Sequence, residues 1–143
     1  MIKGIGIDLT DVMRFTRIAS SKRTMERAFS EREMEWAGAD PVRLTIIWSI
    51  KEAIVKALGI GFGQGIGWRD VGLDFLTASN GQQSEFVGKV AHLTHKARIG
   101  VNGPRILFSE KTLVVIGFDC QNDQWLVSYS CTSNEVMSTV IWM

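Results

Sequence analysis

With 143 residues, 45% of them hydrophobic and 22% charged, the chain has the balance of one soluble globular domain spanning residues 1–143, long enough to bury an apolar core. A net charge of +1 argues against a nucleic-acid binder, and no apolar run approaches the length of a membrane span. The two cysteines, Cys120 and Cys131, lack CxxC spacing and read as free thiols of a reducing compartment. Met1 to Ser20 has none of the three parts of a signal peptide, so a cytoplasmic protein is expected.

In chain order, Ile2 to Asp8 is a short glycine-containing apolar run that reads as a strand ending in an acid. Thr10 or Asp8 can cap the next segment, where Val12, Phe15 and Ile18/Ala19 recur at helical spacing and leave Arg14 and Arg17 on another side. A second basic helical piece follows over Lys22 to Phe29. Arg14, Arg17, Lys22, Arg23 and Arg27 face a single acid, Glu26, across this region, a charge suited to an acidic partner or to a solvated helix face. Ser30 with Glu31 and Glu33 opens a third helix that ends near Gly38.

After a break at Ala39-Asp40-Pro41, a long amphipathic helix is predicted from Val42 to Leu58, stopped by Gly59. Gly59 to Gly67 forms a glycine-rich loop, Val71 to Leu76 a strand and Thr77 to Ser84 a polar turn. Phe86, Val90, Leu93 and Ala97 predict one more helix. Ile106–Phe108, Leu113–Phe118, Trp125–Ser130 and Val136–Trp142 predict strands, with turns at Ser109–Lys111, Gln121–Asp123 and Thr132–Asn134. Helices in the first half and strands in the second make the class α+β.

Glu52 and Lys56 stand one turn apart on the long helix, which by itself describes an exposed ion pair. Set beside Asp8 at a strand end and the glycine loop, they describe something else. Two carboxylates are as many as magnesium usually takes from protein, with water and substrate phosphates completing its shell. The loop after Leu58 has neither GxGxxG nor GxxxxGK[ST], so Rossmann and P-loop readings fail. His92 and His95 lack a third ligand for zinc, Ser128 and Ser130 lack a nearby histidine, and Trp48 lies on the Glu52 side, where it can line a pocket.

GIGIDLTDVMRF, MERAFSEREM, KEAIVKALGIGF and RDVGLD, taken in this order over Met1 to Asp74, resemble the 4′-phosphopantetheinyl transferases, in particular the small holo-acyl-carrier-protein synthase type. The Trp48-Ser49 before KEA is closer to the larger, two-lobed members. The resemblance implies an α+β fold of that family and transfer of 4′-phosphopantetheine from coenzyme A to a serine of an apo acyl carrier protein. It implies Asp8 and Glu52 as Mg2+ ligands, and Glu52 and Lys56 as catalytic groups. Lys56, Gly59, Gly61 and Ser128 would bind coenzyme A; Arg14, with Arg17, Arg23 and Arg27 around it, would dock the acidic carrier. A homotrimer with the site between subunits is the family expectation.

Three departures mark the chain. The arginine of the family's RFxxKEA is Ile47, GTG becomes Gly59-Ile60-Gly61, and HVSxSH appears from Leu126 to Cys131 without either histidine. The interval 75–126 is longer than the small type needs. A noncatalytic relative that binds a carrier protein or a coenzyme A derivative without transfer is therefore the rival reading. Asp8, Glu52 and Lys56 favour the enzyme, and the missing histidines favour the rival.

Overall fold

The computed structural model describes residues 1–75, 98–100, 103–117 and 123–143. Strand β1 (Gly4–Asp11) leads into α1 (Val12–Ala19), α2 (Lys22–Ala28), α3 (Glu31–Ala37) and the long α4 (Pro41–Ala57). A 3-10 turn (Trp68–Asp70) precedes β2 (Val71–Asp74); β3 (Arg98–Gly100), β4 (Arg105–Phe108), α5 (Glu110–Ile116), β5 (Trp125–Cys131) and β6 (Glu135–Trp142) follow. The α+β class holds. The predicted helix at Phe86–Ala97 with its two histidines, the turn at Thr77–Ser84 and Cys120 lie outside the described residues.

The main sheet runs β1-β6-β5-β3 with every neighbour antiparallel, and β2 pairs with β4 in a second, two-stranded sheet. The register of β1 on β6 sets Gly6 opposite Val140 and Asp8 opposite Ser138. Side chains alternate across a sheet, so Gly6, Asp8, Val136, Ser138 and Val140 share the inner face, on which α4 lies.

Helix α4 is the centre of the core, buried on more sides than the one apolar face of the amphipathic helix predicted. Ile46, Ile47, Ile50, Ala53, Ile54, Val55 and Ala57 are all buried, covered by the sheet, α1, α3 and β2 in turn. It starts at Pro41, where Asp40 accepts from the amides of Val42 (2.8 Å) and Arg43 (3.4 Å), so the break read from Ala39-Asp40-Pro41 is the helix cap itself. It stops as expected: Gly59, at φ 71°, and Ile60 donate back to the carbonyls of Lys56 and Val55. A Cβ on Gly6 would lie 1.7 Å from the Ala53 carbonyl oxygen, and one on Gly4 1.9 Å from that of Ala57. Only glycine lets β1 lie this close to the helix backbone.

Two local expectations are corrected. Strand β1 continues to Asp11, whose carboxylate accepts from the Arg14 amide at 2.6 Å; the cap of α1 is thus Asp11, neither Asp8 nor Thr10. Of the run Leu113–Phe118, rich in β-branched residues and predicted as a strand, Leu113–Ile116 fold as part of α5, and Phe118 lies outside the described residues. Ser109, placed in a turn by sequence, accepts from the Thr112 amide (3.2 Å), and Gly117 at φ 95° closes the helix. Cap and stop outweigh the β propensity of Val114 and Val115, both largely exposed.

Candidate functional site

Asp8, Glu52 and Lys56 meet where β1 passes beneath the C-terminal half of α4. Asp8 points inward from β1 and is 9% exposed. Lys56 Nζ donates to Asp8 Oδ1 at 2.8 Å and to the Ile7 carbonyl at 3.1 Å, spanning 48 positions of sequence. The exposed i,i+4 pair with Glu52 is thus replaced by a contact across the fold. The Thr10 hydroxyl donates to the other Asp8 oxygen at 2.6 Å.

Glu52 is half-buried and its carboxyl is held above the ordinary range, by desolvation first and by the negative charge of Asp8 second, with Lys56 opposing. A carboxylate whose charge is disfavoured by a neighbouring carboxylate, with one cation beside them, marks a place where a further positive charge is favourable. Among the described residues no set of three or more His, Cys, Asp or Glu side chains is placed to hold a metal. Asp8 and Glu52 are thus two carboxylates, a number that could hold an ion taking few protein ligands and completing its shell with phosphate and water.

One turn before Glu52, Trp48 and Glu52 help to wall a cavity of about 380 Å³ together with Thr10, Arg14, Phe15 and Ile18. Arg14 is thus brought to the mouth of the site. Arg17, Arg23 and Arg27 are exposed on α1 and α2 outside this cavity. On the other side of Lys56, Gly59 and Gly61 begin the glycine loop. A stack of Trp48, Trp68 and Phe62, with ring centroids 3.7 and 3.8 Å apart, ties this loop to α4. Ser128 is not brought to Asp8. It is exposed on β5, and its β6 partner Thr139 faces Ile7 of β1, so it belongs to the outer face of the sheet while Asp8 belongs to the inner one. Of the departing positions, Ile47 is fully buried in the core, Leu126 is an exposed outer-face residue and Cys131 is a buried free thiol.

A second charged constellation escaped the sequence reading. Lys51, next to Glu52, points into the core and is fully buried. Its ammonium donates to Glu33 Oε2 (2.9 Å) and to the carbonyls of Ala28 (2.7 Å) and Trp68 (3.0 Å). Glu33 closes the capping box of α3 by accepting from the Ser30 amide and also accepts from the Leu73 amide, so every oxygen of this buried carboxylate is used. Burial lowers the Lys51 pKa, and Glu33 opposes that shift. The signal was a lysine inside the apolar stripe of Ile47, Ile50 and Ile54. A charge in that position requires a buried partner.

The sequence profile of the 4′-phosphopantetheinyl transferase superfamily matches residues 4–104. A holo-[acyl-carrier-protein] synthase of Verminephrobacter eiseniae is 37% identical over 94 residues, which are 62% of this chain and 71% of that protein. Other relatives of that designation are matched over only 59% and 60% of their own length. The holo-[acyl-carrier-protein] synthase of Neisseria meningitidis superposes with a TM-score of 0.69 at 19% identity, covering 100% of this chain and 99% of that one. That of Helicobacter pylori, solved in complex with coenzyme A, superposes with a TM-score of 0.65 at 20% identity, covering 97% and 99%. At these identities the solved structures speak for the fold, and the profile speaks for descent. The chain belongs to the 4′-phosphopantetheinyl transferase superfamily.

Proposed function

We propose that this chain transfers 4′-phosphopantetheine from coenzyme A to a serine hydroxyl of an apo acyl carrier protein, in a Mg2+-dependent reaction. The observation that carries the reading is the convergence of Asp8, Glu52 and Lys56 from two distant segments beside a cavity whose rim holds Arg14. Asp8 and Glu52 would hold the ion, which when bound neutralises charge developing on the pyrophosphate oxygens. Lys56 supplies a positive charge to the phosphates. Glu52 would take the proton of the attacking serine hydroxyl. The displacement forms the serine–phosphorus bond and leaves adenosine 3′,5′-bisphosphate.

The cavity beside Trp48 and Phe15 lies on the α1 side of Glu52, which suits the pantetheine arm and the incoming serine. Arg14 and the exposed Arg17, Arg23 and Arg27 extend from there as a basic surface for an acidic carrier. Ile5, Ile7, Leu9, Leu126 and Met137 leave an apolar strip exposed on the outer sheet face, each between 47% and 65% accessible, which supports assembly into a homotrimer. Such an assembly is also how Ser128, on that outer face, would reach a coenzyme A site, one belonging to a neighbouring copy. Among the described residues no helix is long and apolar enough to cross a membrane.

The test is incubation with coenzyme A, Mg2+ and several apo carrier proteins, followed by intact-mass measurement of the carriers. Gain of one phosphopantetheine is expected, abolished by Glu52→Gln in a protein that stays folded, since a neutral amide removes the cost of burying a charge beside Asp8. Binding of carrier or coenzyme A with no mass gain on any carrier would instead support the noncatalytic reading.

A further inference from the structure

The inner face of β6 carries Val136, Ser138 and Val140, all fully buried. The two valines pack against α4. The Ser138 hydroxyl has no hydrogen-bond partner among the described residues. A buried hydroxyl left in this state destabilises the fold relative to an apolar group of the same size, so a serine between two valines calls for a reason. Its place supplies one. In the β1–β6 register Ser138 stands directly opposite Asp8, on the same face. Side chains so paired have Cβ atoms about 4.5–5.5 Å apart, within reach of a hydroxyl-to-carboxylate bond.

The Asp8 carboxylate now takes one donor on each oxygen, Lys56 at 2.8 Å and Thr10 at 2.6 Å. The reading of Asp8 and Glu52 as ion ligands, on which this inference rests, puts a divalent cation beside a carboxylate that already holds an ammonium. The two cations repel each other, which weakens the Lys56 contact and favours a neutral donor on Asp8. The carboxylate has lone pairs to spare, and Ser138 is a fixed, unspent donor across the ladder. We propose that Ser138 is a positioning residue for Asp8, donating a hydrogen bond to its carboxylate in the ion-bound state and orienting the oxygen that faces the ion. Ser49, the other buried hydroxyl without a partner among the described residues, lies on α4 and has no such pairing with Asp8.

The experiment uses the full chain, with Mn2+ as a spectroscopic stand-in for Mg2+ and its free concentration read by electron paramagnetic resonance. Loss of a hydrogen bond behind a metal ligand weakens affinity about tenfold or more, so Ser138→Ala should bind Mn2+ about tenfold less tightly. The same variant, melted without metal, should be no less stable than wild type, because it exchanges an unpaired hydroxyl for a methyl. A merely structural serine gives the opposite pattern, a lower metal-free melting temperature with unchanged affinity, and that result overturns the inference. If wild type binds Mn2+ and Asp8→Asn abolishes binding while Ser138→Ala stays within twofold, only the role of Ser138 falls. If wild type shows no saturable binding, the ion site falls with it.

Discussion

Replacing Lys51 by methionine tests how the core around the site is held. The substitution keeps the length of the side chain and removes the ammonium, with its bonds to Glu33, Ala28 and Trp68. Glu33 is left fully buried without its cationic partner, keeping only its amide donors from Ser30 and Leu73. Breaking a buried pair from one side costs about 3–5 kcal/mol, a large share of the roughly 5–15 kcal/mol that stabilises a domain. At the usual scaling for this chain length the melting temperature should fall by roughly 10–15 °C. Burial lowers the Lys51 pKa, yet the lysine faces a carboxylate and two carbonyls, all acceptors, so the charged form is the one that satisfies them. Urea denaturation followed by tryptophan fluorescence measures the loss. Glu33→Gln and the double variant complete the cycle, and the double variant should cost less than the sum of the singles by about 1–3 kcal/mol. A loss below about 1 kcal/mol for Lys51→Met, or strict additivity, would refute the claim that this pair ties α2, α3, α4 and β2 together.

Gly6→Ala should lose both fold stability and transfer: the new Cβ must retreat from 1.7 Å to at least 3.0 Å from the Ala53 carbonyl, parting β1 from α4 and drawing Asp8 away from Lys56. Overpacking of this kind costs about 1–3 kcal/mol or more; an alanine variant with wild-type melting temperature and turnover would show that the close approach is not needed. In the metal-free chain the Glu52 carboxyl should titrate above the ordinary 4.5, as an NMR pH titration of that carboxyl would show; a midpoint at or below the ordinary value would refute the argument that burial and Asp8 disfavour its charge. The linkage to stability follows: the folded state holds this proton more tightly than the unfolded chain, so ionising Glu52 costs stability as pH rises through the same window.

Much of the helical half was legible from local signals. Ser30 with Glu33, Pro41 after Asp40, and Gly59 after Leu58 are chemical starts and stops that act within a turn of helix, and each works in the structure as its chemistry dictates. Where propensity and capping disagreed, as in Ser109–Gly117, the β-branched run misled and the cap decided. Glu33 shows the limit of local reading. Its capping role is visible within three residues, while its partnership with Lys51 depends on how α3 crosses α4.

The sequence alone pointed to the family and to the residue types of the candidate site, because spacing along a chain is enough to recognise a motif. Tertiary structure decided which charges meet. Lys56 could have paired with Glu52 one turn away, but glycines at 4 and 6 let β1 lie against the α4 backbone, and that approach hands Lys56 to Asp8. Burial then raised the pKa of Glu52, and strand register set Ser138 beside Asp8. These properties depend on distance and dielectric between segments far apart in the chain, and such quantities exist only once the chain has folded.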